Sequence, residues 1–236
     1  MPKSKRDRVV PLTEVRSAGR EGKKKVIDAV RAGVDEHAAV YAFTFTNFRT
    51  NLMKDVRLTW SGSKFLMAKN TVMAVGLGRS ELDEHRDGLH KVAEQLTGSC
   101  GLLFTNASEE EVVNFFDTFG VPEYAVQGDI APRTVVLPHG PMPLFQGTME
   151  YHLRLLEVPV VLKDGVLINE REYVVCEEGD ELNARQCKIL RLLGEKLGKF
   201  QLRLRAGWRD GVVKLYGDAE DAAMDASDND EEEDEE

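Results

Sequence analysis

The sequence predicts an α+β fold in two bodies, and three observations carry the prediction. From residue 17 to residue 121, short alternating apolar runs take turns with stretches whose apolar residues recur every three or four positions, the pattern of strands interleaved with helices. Near Gly120 to Glu123 the composition turns acidic and proline-bearing and stays so to about Cys176, which marks a segment able to support its own small α/β fold. From Leu182 the chain is basic again and offers one more helix and one more strand, which would complete the first body and make it discontinuous. That body reads as a mixed sheet with helices on one side. The expected boundaries are a basic arm at 1–16, the body at 17–121 and 177–216, the inserted unit at 122–176, and a disordered acidic tail at 217–236.

Gly19 to His37 reads as an amphipathic helix with Val26, Ile27, Val30 and Val34 on one face. Lys23, Lys24 and Lys25 fill its first half, where they oppose the helix dipole, so a nearby anion would relieve a real cost. Val40 to Thr46 alternates as a strand, with Tyr41, Phe43 and Phe45 assigned to core. Arg49 to Thr59 is a second helix, with Leu52 and Val56 inward and Lys54 and Arg57 outward. Trp60 closes it; a tryptophan there can stack on a base, but packing is the better assignment.

Phe65, Leu66 and Met67 form a short buried strand that hands over to a helix at Asn70. Asn70 suits an N-cap, and Val72, Met73 and Val75 follow at burying spacings. A helix start presents unpaired N–H groups and the positive end of a dipole, and Lys69 adds a full charge beside it. Lys64, Lys69, Asn70 and Thr71 are therefore the first candidates for holding phosphate. The helix ends at Gly76 to Gly78. Leu82, His85, Leu89, Val92 and Leu96 suggest a fourth helix, and Leu102 to Thr105 a strand. Ser108 with Glu111 reads as a capping box for the next helix.

In the acidic segment, Val135 to Leu137 looks like a strand, Phe145 to Leu156 like a short helix, and Tyr173 to Cys176 like another strand. Val158 to Lys163 and Val166 to Asn169 flank Asp164 and Gly165, a strong hairpin-turn signal. Leu182 to Leu193 is helical. Phe200, Leu202, Leu204 and Ala206 alternate with Gln201, Arg203 and Arg205 as a strand.

The net charge of −10 hides a block pattern. Residues 1–79 carry 16 basic and 7 acidic side chains, residues 80–181 carry 6 and 20, residues 182–216 carry 9 and 2, and the tail carries 0 and 12. A chain that grips an anion with both sequence ends of one body, and keeps its middle away, has this pattern. Lys5 and Arg6 in the arm suit an RNA groove or nuclear import.

The stretch from Gly62 to Met73, with Lys64, Lys69, Asn70 and Thr71, resembles the RNA-binding signature of the ribosomal stalk-base family. Thr97 to Asn106 and Asp129 to Arg133 agree with it. The start, Met1 to Arg6, and Arg49–Thr50 before a helix resemble one branch, the mRNA turnover protein 4 family of assembly factors. The resemblance covers roughly residues 1–216. It implies a ferredoxin-like α+β RNA-binding body with a projecting inserted domain. It also implies a nuclear and nucleolar role, with shuttling to the cytoplasm, in assembly of the large ribosomal subunit. There the chain would occupy rRNA of the GTPase-associated region as a placeholder for the mature stalk-base protein, beside the ribosomal proteins of the preribosomal particle. Contacts are expected from Lys64, Lys69, Asn70 and Thr71, with Lys5, Arg6, Lys23, Lys24 and Arg57 in support and Arg203 and Arg205 more weakly. The mature stalk base carries long helices that dock acidic stalk dimers, and a phenylalanine-bearing terminal peptide. This chain is too short for those helices and has no phenylalanine after Tyr216, so stalk-dimer binding is not expected. The alternatives are a truncated stalk-base protein and an acidic-tailed interaction or chaperone module.

Other classes find no motif. No run of about 18 apolar residues exists, so no membrane helix is expected. Cys100, Cys176 and Cys187 form no CxxC pair, so no metal site and no cofactor are expected. The glycines at Gly194 and Gly198 are too close for a P-loop, and no nucleophile elbow is present, so no catalytic residue is assigned.

Overall fold

The computed structural model describes residues 19–216, so Lys5, Arg6 and the acidic tail lie outside the described residues. The body opens with helix α1 (Gly19–Glu36), strand β1 (Ala39–Thr46), α2 (Thr50–Thr59), β2 (Lys64–Leu66), α3 (Asn70–Leu77) and α4 (Leu89–Glu94). It continues with β3 (Cys100–Thr105), α5 (Glu109–Thr118) and β4 (Gly120–Glu123). The second unit holds β5 (Val135–Leu137), β6 (Gly140–Pro141), a 3-10 turn (Gly147–Met149) and α6 (Glu150–Leu155). Then come β7 (Val160–Lys163), β8 (Val166–Asn169), β9 (Tyr173–Cys176) and α7 (Ala184–Leu193). The chain returns to the body as β10 (Gly198–Arg209) and β11 (Val212–Leu215).

The body's sheet runs β11-β10-β1-β3-β2, and every pairing in it is antiparallel. The order β10-β1-β3-β2, with α2 after β1 and α5 after β3, is the β-α-β-β-α-β arrangement of a ferredoxin-like unit. The expected mixed sheet is corrected for a topological reason. β1 and β2 point the same way, but β3 lies between them, so no parallel pair forms. β4 and β11 share the outer edge of β10, the first against Gly198–Gln201 and the second against Ala206–Arg209.

The expectation of helices on one side is also corrected. Tyr41, Phe43 and Leu103 pack with Met53, Val56 and Phe116 of α2 and α5 on one face. Val40, Ala42, Leu102 and Phe104 pack with Val30, Met73, Leu77 and Val92 of α1, α3 and α4 on the other. Strands apolar on both faces need cover on both. The long apolar run of β1 already carried that signal. α1 sits close to its neighbours because glycines face them. A Cβ added at Gly33 would lie 2.9 Å from the Phe104 ring, and one at Gly76 would lie 2.8 Å from the Val30 Cβ.

Several elements differ from expectation. The fourth helix covers only Leu89–Glu94, and Leu82 is wholly exposed. Residues 79–88 are turns held by polar contacts: His85 Nε2 and Arg86 Nη2 reach Asp35 Oδ1 at 3.0 and 3.2 Å, while Glu84 Oε2 accepts from the N–H groups of Gly88 and His90. Phe145 to Leu156 splits into the 3-10 turn and α6. In β10 the side-chain alternation breaks: Leu204 opposes Phe43 and Ala206 opposes Ala42, which leaves Arg205 as the extra residue of a bulge. Phe200, Leu202 and Leu204 therefore face one core while Ala206 and Trp208 face the other. β11 follows a second Asp-Gly turn, with Asp210 and Gly211 at φ 49° and 84°, close to the 51° and 80° of Asp164 and Gly165.

The helix at 184–193, assigned above to the body, packs its Ile189 and Leu190 in the second core with Leu153, Val160, Leu167 and Cys176. Asn183 caps it with a reciprocal box, its side chain accepting from Arg185 and Gln186 N–H groups while Gln186 returns to Asn183 N–H. Tyr124 joins the two units. Its carbonyl accepts from Asn47 Nδ2 at 3.0 Å and Arg49 Nη2 at 3.2 Å, and its ring lies under Arg191 and Lys196.

Candidate nucleic-acid interface

β2 is the edge strand of the body's sheet opposite β4 and β11, and α3 begins four residues after it. Lys69, not Asn70, occupies the N-cap position of α3, with β-region backbone and no side-chain cap. Its carbonyl accepts from the N–H groups of Val72 and Met73 at 2.9 and 3.1 Å. The N–H groups of Asn70 and Thr71 have no partner among the described residues, as expected of a first helical turn. Asn70 has a different task from the one expected. Its Nδ2 donates to the Gly98 carbonyl at 2.6 Å and pins the helix start to the turn before β3.

The side chains around this start are basic or hydroxylic. Lys69 and Thr71 are exposed. Lys64 is half-buried on β2, and its Nζ donates to the Ala29 carbonyl of α1 at 3.4 Å, so its charge lies between the sheet edge and α1. Lys23 and Lys24 are exposed on α1, in the same helical layer as α3. Arg79 donates from Nη2 to the Thr71 carbonyl at 3.4 Å and adds a cation that sequence reading left out. No acidic residue stands in the first turn of α3. An open helix start with lysines beside it and on neighbouring elements is a site for phosphate oxygens.

Not every candidate gathers here. Arg57 is exposed on α2, which covers the opposite face of the sheet. Arg203 and Arg205 lie on β10, which β1 and β3 separate from β2. Arg205 nevertheless approaches the helix start from behind, because its guanidinium donates to the Thr97 hydroxyl, and Thr97 adjoins the Gly98 that Asn70 holds. The bulge that places Arg205 is a pairing property, invisible in a plain alternation.

Three carboxylates elsewhere in the body, those of Glu84, Asp35 and Glu109, are engaged internally. The His90 imidazole, with N–H groups of Gly88 and His90, holds the Glu84 carboxyl below its ordinary range against the opposing effect of partial burial. His85 and Arg86 lower Asp35 in the same way. Lys214 and Tyr216 lower Glu109, and burial with the Glu109 charge pushes the Tyr216 phenol up. Among the described residues no group of three or more His, Cys, Asp or Glu side chains could hold a metal ion.

Family models place the chain. One described as ribosomal protein L10 matches residues 18–120, and one described as the insertion domain in the 60S ribosomal protein of that group matches residues 125–194. A protein of Dictyostelium discoideum named ribosome assembly factor mrt4 is 39% identical over 91% of this chain and 96% of its own length. Its namesake from Schizosaccharomyces pombe is 35% identical over 86% of this chain and 90% of its own length. The large ribosomal subunit protein uL10 of Thermococcus gammatolerans is 22% identical over 82% of this chain and 57% of its own length.

Proposed function

Because the chain belongs to the ribosome assembly factor mrt4 family, within the wider ribosomal protein L10 group, we propose that it is a large-subunit assembly factor whose body binds rRNA at the future stalk base. The site is the GTPase-associated region, which the chain occupies in the nucleus and nucleolus until the mature stalk-base protein replaces it. It enters the particle beside neighbouring ribosomal proteins and shuttles with it toward the cytoplasm. Its action is binding and exclusion, without catalysis.

The observation that carries this reading is the open start of α3, with Lys69 at its N-cap and Lys64 on the edge strand β2. Phosphate oxygens take the N–H groups of Asn70 and Thr71, and the lysines release counterions. Lys23 and Lys24 extend the positive field along α1, where RNA phosphate relieves their conflict with the helix dipole. Lys5 and Arg6 supply further phosphate contacts, Arg57 meets backbone passing to the α2 side, and Arg203 and Arg205 contribute at the rim. Folded rRNA is read mostly by shape, since these groups address phosphate and sugar.

Binding of an rRNA fragment from the GTPase-associated region, measured across a salt series, tests the reading. Lys64→Ala and Lys69→Ala should each weaken binding and flatten the salt slope by about one. Unchanged affinity and slope in both folded variants would overturn it.

A further inference from the structure

A cleft of about 570 Å³ opens at the far end of β2 from Lys69, between α2 and α5. Trp60 and Phe115 line it with ring centroids 5.2 Å apart, and Phe115 is itself half-buried and stacked on Phe119. Its rim is polar. Asn106 Oδ1 accepts from the Ala38 N–H at 2.8 Å, which leaves both Nδ2 protons of Asn106 without a partner among the described residues. The carboxamide of Asn114 is likewise unpartnered among the described residues. At Gly62 an added Cβ would meet nothing within 4 Å, so that wall is open.

Glu111 completes the rim, and its availability is a finding. The sequence suggests a reciprocal capping box, but only the Ser108 half forms: Glu111 N–H donates to Ser108 Oγ at 3.3 Å, and the Glu111 carboxylate makes no return bond. The freed carboxylate lines the cleft as an acceptor.

We propose that this cleft takes one unpaired guanine base of the bound RNA, a reading that rests on the rRNA-binding function above. Residues 60–71 run consecutively from the cleft through Lys64 to the start of α3, along the edge strand β2. The cleft opens on the α2–α5 face and the Lys64 charge lies on the α1 side, so an RNA strand whose phosphates follow Lys69 and Lys64 reaches the cleft mouth by crossing the β2 edge. A carboxylate repels phosphate, so the group that enters is a base, stacked against the half-buried Phe115 ring that the buried Trp60 backs. Guanine alone among the four bases offers two adjacent donors, N1–H and N2–H, which one carboxylate accepts together. Its O6 beside them takes an Asn106 or Asn114 amide proton. Adenine offers one exocyclic donor next to an acceptor and leaves the carboxylate poorly matched.

Binding of the full chain to the oligoribonucleotides UUUGUUU and UUUAUUU at one fixed salt concentration tests the proposal. The guanine oligonucleotide should bind about tenfold tighter. Glu111→Gln should erase that preference, and Asn114→Ala should reduce it, with native circular dichroism in both. Equal binding of the two oligonucleotides, binding of neither, or a preference kept in Glu111→Gln would overturn the guanine cleft. The lysine variants separate this from failure of the rRNA reading: they should weaken both oligonucleotides equally and leave the guanine preference intact.

Discussion

Asn70 donates from Nδ2 to the Gly98 carbonyl at 2.6 Å and so ties the first residue of α3 to the turn that leads into β3. The helix start is therefore fixed by a neutral hydrogen bond, while the charge beside it comes from Lys69. The two contributions can be separated. Asn70→Ala should lower stability by about 1 kcal/mol and weaken rRNA binding without altering its salt slope, because no charge is lost. Lys69→Ala should leave stability within about 0.5 kcal/mol and reduce the slope by about one. Urea unfolding and binding titrations at several salt concentrations give both readouts, and identical salt behaviour of the two variants would contradict the division.

Gly76 meets Val30 where α3 crosses α1. Gly76→Ala would set a Cβ 2.8 Å from the Val30 Cβ, and overpacking of this kind costs about 1–3 kcal/mol. The variant should be destabilised by roughly that amount, less what alanine returns in helix propensity. In a Val30→Gly background the same change should stabilise, since the Val30 Cβ and both Cγ atoms that it would meet are gone and the propensity gain stays. A double-mutant cycle in urea decides it; destabilisation of the same size in both backgrounds would refute the contact.

Glu84 gives a pH-dependent element. Its carboxylate accepts from the His90 ring at 2.7 Å and from the Gly88 and His90 N–H groups, and its folded pKa lies below the ordinary 4.5. A depressed carboxyl stabilises the fold above its unfolded pKa, and that stability is lost as pH falls through the folded value. Hydrogen exchange at Gly88 and His90, corrected for intrinsic rates, should stay slow near neutrality and quicken below about pH 4.5. Glu84→Gln should exchange fast throughout and show no such step. A step of equal size in that variant would assign it to another group.

Asn183 caps a helix that belongs to the second core. Asn183→Ala should cost about 1 kcal/mol. The loss should appear as faster exchange in β7, β8 and β9, with rRNA affinity unchanged. Weaker rRNA binding would mean that the second unit takes part in the interface.

Much of the body was legible because its elements carry strong local signals. The valine periodicity of α1, the alternation of β1 and the Asp164–Gly165 turn each specify one structure. The strand-to-helix junction that brackets Lys64 and Lys69 was legible because the apolar run of β2 and the start of α3 are both local signals. What escaped depends on pairing across the chain. Leu82 fits a helical period, yet His85, Arg86 and Glu84 hold that segment in turns through partners up to 51 residues away. Arg205 looks like one position in an alternating strand until the register with Ala42 and Phe43 makes it a bulge. Asn70 has the chemistry of a cap, but Gly98, 28 residues on, takes its amide. The Asp210–Gly211 turn and β11 were readable by the rule that found the first hairpin.

The most direct test of the central claim is gradient fractionation of extract from cells expressing the tagged chain, with each fraction probed for it and for the mature stalk-base protein. The account predicts the chain on nuclear large-subunit precursors that lack the stalk-base protein, and its absence from translating ribosomes. Sedimentation with polysomes, or on particles that already carry the stalk-base protein at the same rRNA site, would contradict it.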